Sequence, residues 1–256
     1  MIGFLLKKTF FDLWDNLFKV VLLNVGFVAS AAIPICGLFL TPIPALGIGL
    51  ALAGILWCGV YLAAAARILG AVSDYGSFGF VDFFAGLRRA WPAGLVAGSV
   101  MPLVWLLIWV IFPFYLGLNS PVGLFLAAAV FWISVGLLLS MQFFLALHSR
   151  LERNIPGALW KCLLIFADNP LFCLFSFFHN LILLILSVFL IFLFPGPAGI
   201  LLYLDEALRL RLLKYDWIKA NPQENRRKIP WDALLVEERE KTGTRSLKSF
   251  IFPWKD

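Results

Sequence analysis

Two acids and two arginines interrupt the last apolar stretch of the sequence. Asp205 and Glu206 lie within residues 198–213 and are followed by Arg209 and Arg211. An ionisable side chain inside a membrane-spanning helix is costly and is therefore a functional candidate. Because Asp205 and Arg209 are one helical turn apart, we expect this pair to neutralise itself and to position a short helix. An ion or proton pathway is the alternative hypothesis.

Uncharged polar side chains inside other apolar segments form a second group. His179 and Asn180 lie about ten residues into the segment 170–194, and Asn24 lies near the start of the first apolar segment. A histidine in a membrane can carry protons, but hydrogen bonding between helices is the role that we favour for these residues and for Gln142. The candidate intramembrane polar site comprises Asp205, Glu206, Arg209, His179, Asn180 and Asn24.

The sequence predicts neither a metal site nor a cofactor. It contains two histidines, His148 and His179, and its four cysteines have no paired spacing, so a metal site of ordinary composition cannot be assembled. It also contains no phosphate-binding glycine loop, no His-Glu-x-x-His motif and no nucleophile elbow. We therefore expect a protein that is not an enzyme.

The composition predicts an all-α, polytopic membrane protein in a lipid bilayer. Hydrophobic residues make up 62% of the chain and charged residues 14%, whereas soluble domains average about one half and one quarter. Long apolar runs indicate helices and not the alternating pattern of a barrel. A bilayer of about 30 Å needs about 20 helical residues. The candidate transmembrane helices are 20–40, 44–66, 93–116, 122–147, 170–194 and, more weakly, 198–213.

These six helices are predicted to form three hairpin units, each preceded by an interfacial amphipathic helix. The units cover about 1–67, 80–150 and 155–214, and the predicted entry points Asn16, Pro92 and Pro170 lie 76 and 78 residues apart. Such internal repeats are common in membrane proteins. In the first unit, residues 1–18 should lie in the interface with their lysines toward lipid phosphates. An interfacial helix on the outer face is the alternative for residues 198–213.

The distribution of charge predicts the orientation. All 21 Lys and Arg residues fall on one side of the six-helix arrangement, which by the positive-inside rule places both termini in the cytoplasm. Residues 215–256 then form a cytoplasmic tail with one short helix beginning near Pro230. The net charge of +6 therefore indicates topology and not a nucleic-acid partner. The aromatic end of the tail, residues 250–254, favours docking on the protein itself or on the membrane.

Three groups of residues carry a resemblance to a known family. They are Trp14-Asp15-Asn16-Leu17 with Asn24, the aromatic and basic connector from Phe83 to Trp91, and Pro195-Gly196-Pro197-Ala198 followed by Leu201 to Asp205. Over residues 1–215 the sequence resembles the YesL-like family of bacterial integral membrane proteins, a family of unknown function. The resemblance implies the bacterial cytoplasmic (inner) membrane and an accessory component linked with carbohydrate uptake. It implies no catalytic residues.

Two functions from different classes remain. The first is a non-enzymatic accessory, assembly or regulatory component, whose partner is either a membrane permease or a second copy of the chain. Most polar side chains lie on the predicted cytoplasmic face, which favours this hypothesis. The alternative is a small-solute or ion transporter with a site near the short sixth helix, favoured by the charges within that helix.

Overall fold

The computed structural model describes residues 1–40, 42–151, 154–225, 229–243 and 245, and all regular secondary structure within them is helical. The predicted all-helical fold is therefore confirmed. The α-helices are α1 (Ile2–Asp15), α2 (Leu17–Leu40), α3 (Pro44–Ser73), α4 (Phe80–Leu106), α5 (Phe112–Gly117), α6 (Pro121–Met141), α7 (Phe144–Arg150), α8 (Ile155–Asp168), α9 (Pro170–Phe189), α10 (Gly196–Ala220), α11 (Trp231–Leu234) and α12 (Val236–Thr242).

Within the described residues, five helices are long and apolar enough to cross a bilayer. They are Leu17–Leu40, Pro44–Ser73, Phe80–Gly117, Pro121–Met141 and Pro170–Phe189. Large apolar side chains such as Phe39, Trp105 and Phe125 are exposed on them, as contact with lipid requires. The membrane character predicted from composition is therefore confirmed. α10 begins where the sixth helix was predicted, but its seven charged side chains separate it from these five by composition.

Prolines open three of the long helices, as predicted, but do not divide α4. Pro44, Pro121 and Pro170 each occupy the first turn of a helix, where the missing N–H has no intrahelical partner to lose. The predicted break at Pro92 is absent, because α4 continues from Phe80 to Leu106. Buried residues on both sides of Pro92 pack α4 against α3. This continuous packing offsets the one backbone hydrogen bond that a proline removes.

A π-helical segment, Leu107–Ile111, joins α4 to α5. It ends two residues before Pro113, which has no N–H to continue the ladder of hydrogen bonds. Short π-helical segments, in which hydrogen bonds span five residues and not four, are typical of places where a long helix bends or is interrupted by a proline. The path from Phe80 to Gly117 therefore stays helical despite its prolines.

Glycines bring α3 and α4 into backbone contact. A Cβ added to Gly59 would lie 2.3 Å from the carbonyl oxygen of Gly94 and 2.6 Å from Cα of Gly98. A Cβ on Gly94 would lie 2.3 Å from Cα of Val60. The small residues of the 93–98 segment explain this close packing, since only small residues allow backbones to approach so closely.

α10 begins deep in the bundle and not beside the outer corner between α2 and α3. The N–H of Ala198, in its first turn, donates to Asn24, seven residues after α2 begins, and a Cβ added to Gly199 would lie 3.6 Å from Leu13 of α1. Asp205 lies beside Gly70, three residues before α3 ends. We call this half of the bundle, where α1, α10 and the last turns of α3 meet, the charged end. Residues 198–213 therefore pack at the end of the bundle that contains α1 and the last turns of α3.

α1 is amphipathic, as predicted, but one of its lysines faces protein and not lipid phosphates. Leu5, Lys8 and Thr9 lie on one face of the helix, and all three are buried. This face packs on α10, so Lys8 is only 1% exposed. The predicted orientation of Lys8 is wrong because an acid on α10 provides a buried partner.

The described part of the tail folds back on the charged end. The short helix predicted from Pro230 to Gly243 is present as two helices, α11 and α12, separated by Leu235. Leu235 is fully buried, and Glu238 and Thr242 are also buried. This part of the tail is docked on the bundle and is less solvated than its composition suggested. The aromatic residues 250–254 lie outside the described residues.

Candidate functional site: a buried ion-pair network at the charged end

Asp205 forms a two-point ion pair with Arg150, the last residue of α7. Arg150 Nε donates to Oδ1 of Asp205 at 2.8 Å, and its Nη2 donates to Oδ2 at 2.5 Å. The Asp205 side chain is 1% exposed. Parallel bonds of this kind are among the strongest charged hydrogen bonds in proteins. Asp205 is therefore held by an arginine from another helix.

The expected pairing of Asp205 with Arg209 is wrong. No ion pair joins them in the described part of the chain, although they are one turn apart on α10. Arg209 instead reaches beyond the end of α3, where Nη1 donates to Asp74 at 2.9 Å and to the carbonyl oxygen of Ser73. Arg150 also contacts Asp74, at 3.1 Å. Tertiary partners thus replace the local pair that the spacing suggested.

Glu206, the next residue of α10, is bound by α1. Lys8 Nζ donates to Oε1 of Glu206 at 3.2 Å, and the hydroxyl of Thr9 donates to Oε2. Lys8 also donates to Asp12 at 2.5 Å and to the carbonyl oxygen of Ser73 at 3.1 Å. One buried cation therefore serves two carboxylates.

The tail joins the same network through α12. Arg209 Nη2 donates to Oε1 of Glu238 at 2.6 Å. The hydroxyl of Tyr75, just after α3, donates to Oε2 of Glu238 at 2.9 Å. Burial raises the pKa of Tyr75, which keeps this hydroxyl protonated as a donor. The network therefore connects α1, the end of α3, α7, α10 and α12.

Charge complementarity stabilises the network despite its burial. Burial alone lowers the pKa of Arg150, but its hydrogen bonds and charge interactions with Asp205 and Asp74 outweigh that effect and raise the pKa above its ordinary value. Removing one partner of a buried ion pair costs about 3–5 kcal/mol, because the other charge stays buried without compensation. The network is therefore sensitive to the loss of any single member.

Asn24 lies apart from the charged residues and holds the connection before α10. Its Nδ2 donates to the carbonyl oxygens of Leu193 at 3.0 Å and Pro195 at 2.8 Å, and its Oδ1 accepts the N–H of Ala198 at 2.9 Å. Gly196 adopts φ of 61° beside it, and a Cβ there would lie 2.3 Å from the Asn24 side chain. Asn24 thus links α2 to the connection between α9 and α10.

His179 and Asn180 lie on α9, away from the ion pairs. The His179 ring stacks on Tyr203 of α10 with centroids 4.0 Å apart, and Asn180 Nδ2 donates to Gln142 at 3.4 Å. His179 Nδ1 and Asn180 Oδ1 are buried without hydrogen-bond partners among the described residues. Asn180 and Gln142 also line an otherwise largely apolar cavity of about 450 Å³ between the long helices and α10.

The six predicted residues therefore occupy three places. Asp205, Glu206 and Arg209 belong to the ion-pair network, His179 and Asn180 lie on α9, and Asn24 binds the connection before α10. The network members that sequence reasoning missed are Lys8, Asp12, Asp74, Tyr75, Arg150 and Glu238. Lys8 carried a recognisable signal, because it interrupts the apolar face of an amphipathic helix. Asp12 lies four residues from Lys8 on the same helix, a spacing that allows an ion pair. Asp74, Tyr75 and Arg150 lie at or just beyond helix ends and Glu238 lies in the tail, and their partners are distant in sequence.

The described residues contain no group of three His, Cys, Asp or Glu side chains that could hold a metal ion. Comparison with known proteins found no matching protein-family model, curated protein or solved structure. The site is therefore interpreted from its own geometry.

Proposed function

We propose that this protein is a non-enzymatic accessory, assembly or regulatory component of a transport system. It resides in the bacterial cytoplasmic membrane with both termini in the cytoplasm, and its resemblance to the YesL-like family suggests carbohydrate uptake as the associated process. The observation that supports this proposal is the complete pairing of the buried network, in which every carboxylate contacts a cation.

Complete ion pairing of the buried carboxylates suits a structural role better than the conduction of protons or cations. A proton or cation pathway needs an acid that can exchange its positive partner during transport. Asp205 accepts two hydrogen bonds from Arg150 and is 1% exposed. An ion or proton on this carboxylate would leave the guanidinium partly uncompensated in a buried position, which is costly. The charges on α10 therefore act as a lock between helices.

The docked tail supplies the surface for a partner. Glu238 ties α12 to Arg209 and Tyr75, while Val236 and Glu237 on the same helix remain exposed. The network thus holds α12 in one position, so the exposed face of α12 that contains Val236 and Glu237 is held rigidly on the bundle. Preorganisation of this kind lowers the entropic cost of binding a membrane partner.

Gentle-detergent purification of the tagged full chain from its native membrane tests the proposal. We expect the wild type to retain a membrane partner in stoichiometric amount. Glu238→Gln should reduce recovery of this partner because it loosens α12, whereas the exposed control Glu237→Gln should not. A wild-type protein that purifies without any partner protein contradicts the accessory role.

A small-solute transporter is the second candidate, and the cavity beside α10 favours it. Its volume of about 450 Å³ falls in the range of about 300–1,000 Å³ typical of small-molecule sites. Asn180 and Gln142 place two amide side chains in the wall of this cavity. Solute flux into proteoliposomes that is lost in Asn180→Leu, with normal insertion, would support transport. Equal flux in the variant and the wild type would count against this site.

A further inference from the structure

Two neighbouring cavities at the charged end share the same pair of arginines. The larger, of about 440 Å³, is lined by Arg67, Arg89, Pro92, His148 and Ile155. The smaller, of about 320 Å³, also contains Arg67 and Arg89 in its wall. The wall of the larger cavity brings α3 and α4 together with the end of α7 and the start of α8. Three basic side chains from three helices therefore converge on the larger cavity.

Neither arginine is neutralised within the described part of the chain. Arg67 is half-buried near the end of α3, and Arg89 is exposed on α4. Asp82 lines the smaller cavity, but its Oδ2 accepts the backbone N–H of Gly79 at 2.8 Å, and no ion pair joins it to Arg67 or Arg89. Arg150 and Arg209, by contrast, are bound by buried carboxylates. Among the described residues, these two cations therefore line the cavities without an acidic partner.

The start of α8 adds a further attraction for an anion. Ile155 lines the larger cavity and is the first residue of α8. Asn154 precedes it without a side-chain hydrogen bond to the first turn. The free N–H groups of a helix start and the positive end of its dipole both favour negative charge. This helix start, in which Pro156 lacks an N–H, lies in the same cavity wall as Arg67 and Arg89.

We propose that the cavity lined by Arg67, Arg89 and His148 binds a phosphate group, in the headgroup of an anionic phospholipid. Basic pockets between transmembrane helices are suited to such headgroups. Arginine presents several N–H donors in a geometry that matches phosphate. Trp91, next to Pro92 in the cavity wall, is 53% exposed, as is typical of aromatic residues at a membrane boundary.

Ligand titration of the purified full chain in detergent tests this site. Dihexanoyl phosphatidylglycerol, dihexanoyl phosphatidylcholine and inorganic phosphate serve as probes, and the apparent Kd is measured from the shift in melting temperature. The variants are Arg67→Gln and Arg89→Gln. Arg88→Gln is the matched control, because Arg88 is exposed next to Arg89 but does not line either cavity.

We expect saturable binding of phosphatidylglycerol and about five-fold weaker binding in each of the two variants, as the loss of one interfacial cation implies. Arg88→Gln should bind like the wild type. Inorganic phosphate that binds as tightly as the lipid would support the phosphate site and assign it to a free phosphate. The proposal would be overturned if neither phosphatidylglycerol nor inorganic phosphate bound saturably. It would also be overturned if Arg88→Gln weakened binding as much as Arg67→Gln and Arg89→Gln do. Arg89 is exposed, so its substitution tests binding even if Arg67→Gln does not fold.

Discussion

Loss of Lys8 should destabilise the protein more than loss of its partner Glu206. Lys8 Nζ contacts Asp12 at 2.5 Å and Glu206 at 3.2 Å, and all three side chains are at most 13% exposed. Lys8→Met removes the cation from two carboxylates and should cost about 3–5 kcal/mol. Glu206→Gln leaves Lys8 paired with Asp12, so it should cost about 1.5–3 kcal/mol, the range for hydrogen bonds to charged groups.

Equilibrium unfolding in mixed detergent micelles, followed by circular dichroism, measures these free energies. The expected difference of about 2 kcal/mol corresponds to about a thirty-fold change in the unfolding constant. Lys7→Met is the control and should stay within about 0.5 kcal/mol of the wild type, because Lys7 lies outside the buried network. The double variant should cost less than the sum of the single variants, since they share one interaction. Equal costs for Lys8→Met and Lys7→Met would refute the reasoning.

Three further predictions concern packing, the connection before α10 and pH. Gly59→Ala should cost about 1–3 kcal/mol through overpacking against the backbone of α4, whereas Gly49→Ala, with open space around it inside α3, should not lower thermal stability. Asn24→Leu should cost about 1–3 kcal/mol in the same unfolding assay, because it leaves buried backbone groups unpaired. Burial alone raises the pKa of Asp168, but hydrogen bonds from Lys214 and Tyr215 outweigh it and lower the pKa below 3.8. This carboxylate stabilises the fold above its unfolded-state pKa, and the stabilisation is lost as pH falls through the lower folded-state pKa. The difference in free energy of unfolding between the wild type and Asp168→Asn should therefore shrink below pH 3.8 when it is measured over a series of pH values.

The helical fold could be predicted because its main signals are local. Apolar runs locate the long helices, and Pro44, Pro121 and Pro170 mark the starts of three of them. Pro92 gives the same local signal but lies inside α4, because tertiary packing against α3 outweighs the loss of one hydrogen bond. The positions of the long helices could therefore be derived from sequence, whereas the continuity of one of them could not.

The charged site was only partly predictable, because its partners are remote in sequence. Asp205 and Glu206 stand out as acids in an apolar stretch, yet their cations come from α7 and α1. Arg150 is 55 residues from Asp205, and Lys8 is 198 residues from Glu206. A helical spacing rule can pair only residues within one helix, so it favoured Arg209 for Asp205. The actual pairing depends on which helix ends meet at the charged end.

Ion flux through the purified protein in liposomes most directly tests whether the α10 charges are a structural lock. We predict that the wild-type protein shows no proton or cation flux above that of protein-free liposomes, and that Asp205→Asn changes stability but not flux. Flux in the wild type that disappears in Asp205→Asn, while the variant inserts and folds normally, would contradict the account and assign the buried charges to a transport pathway.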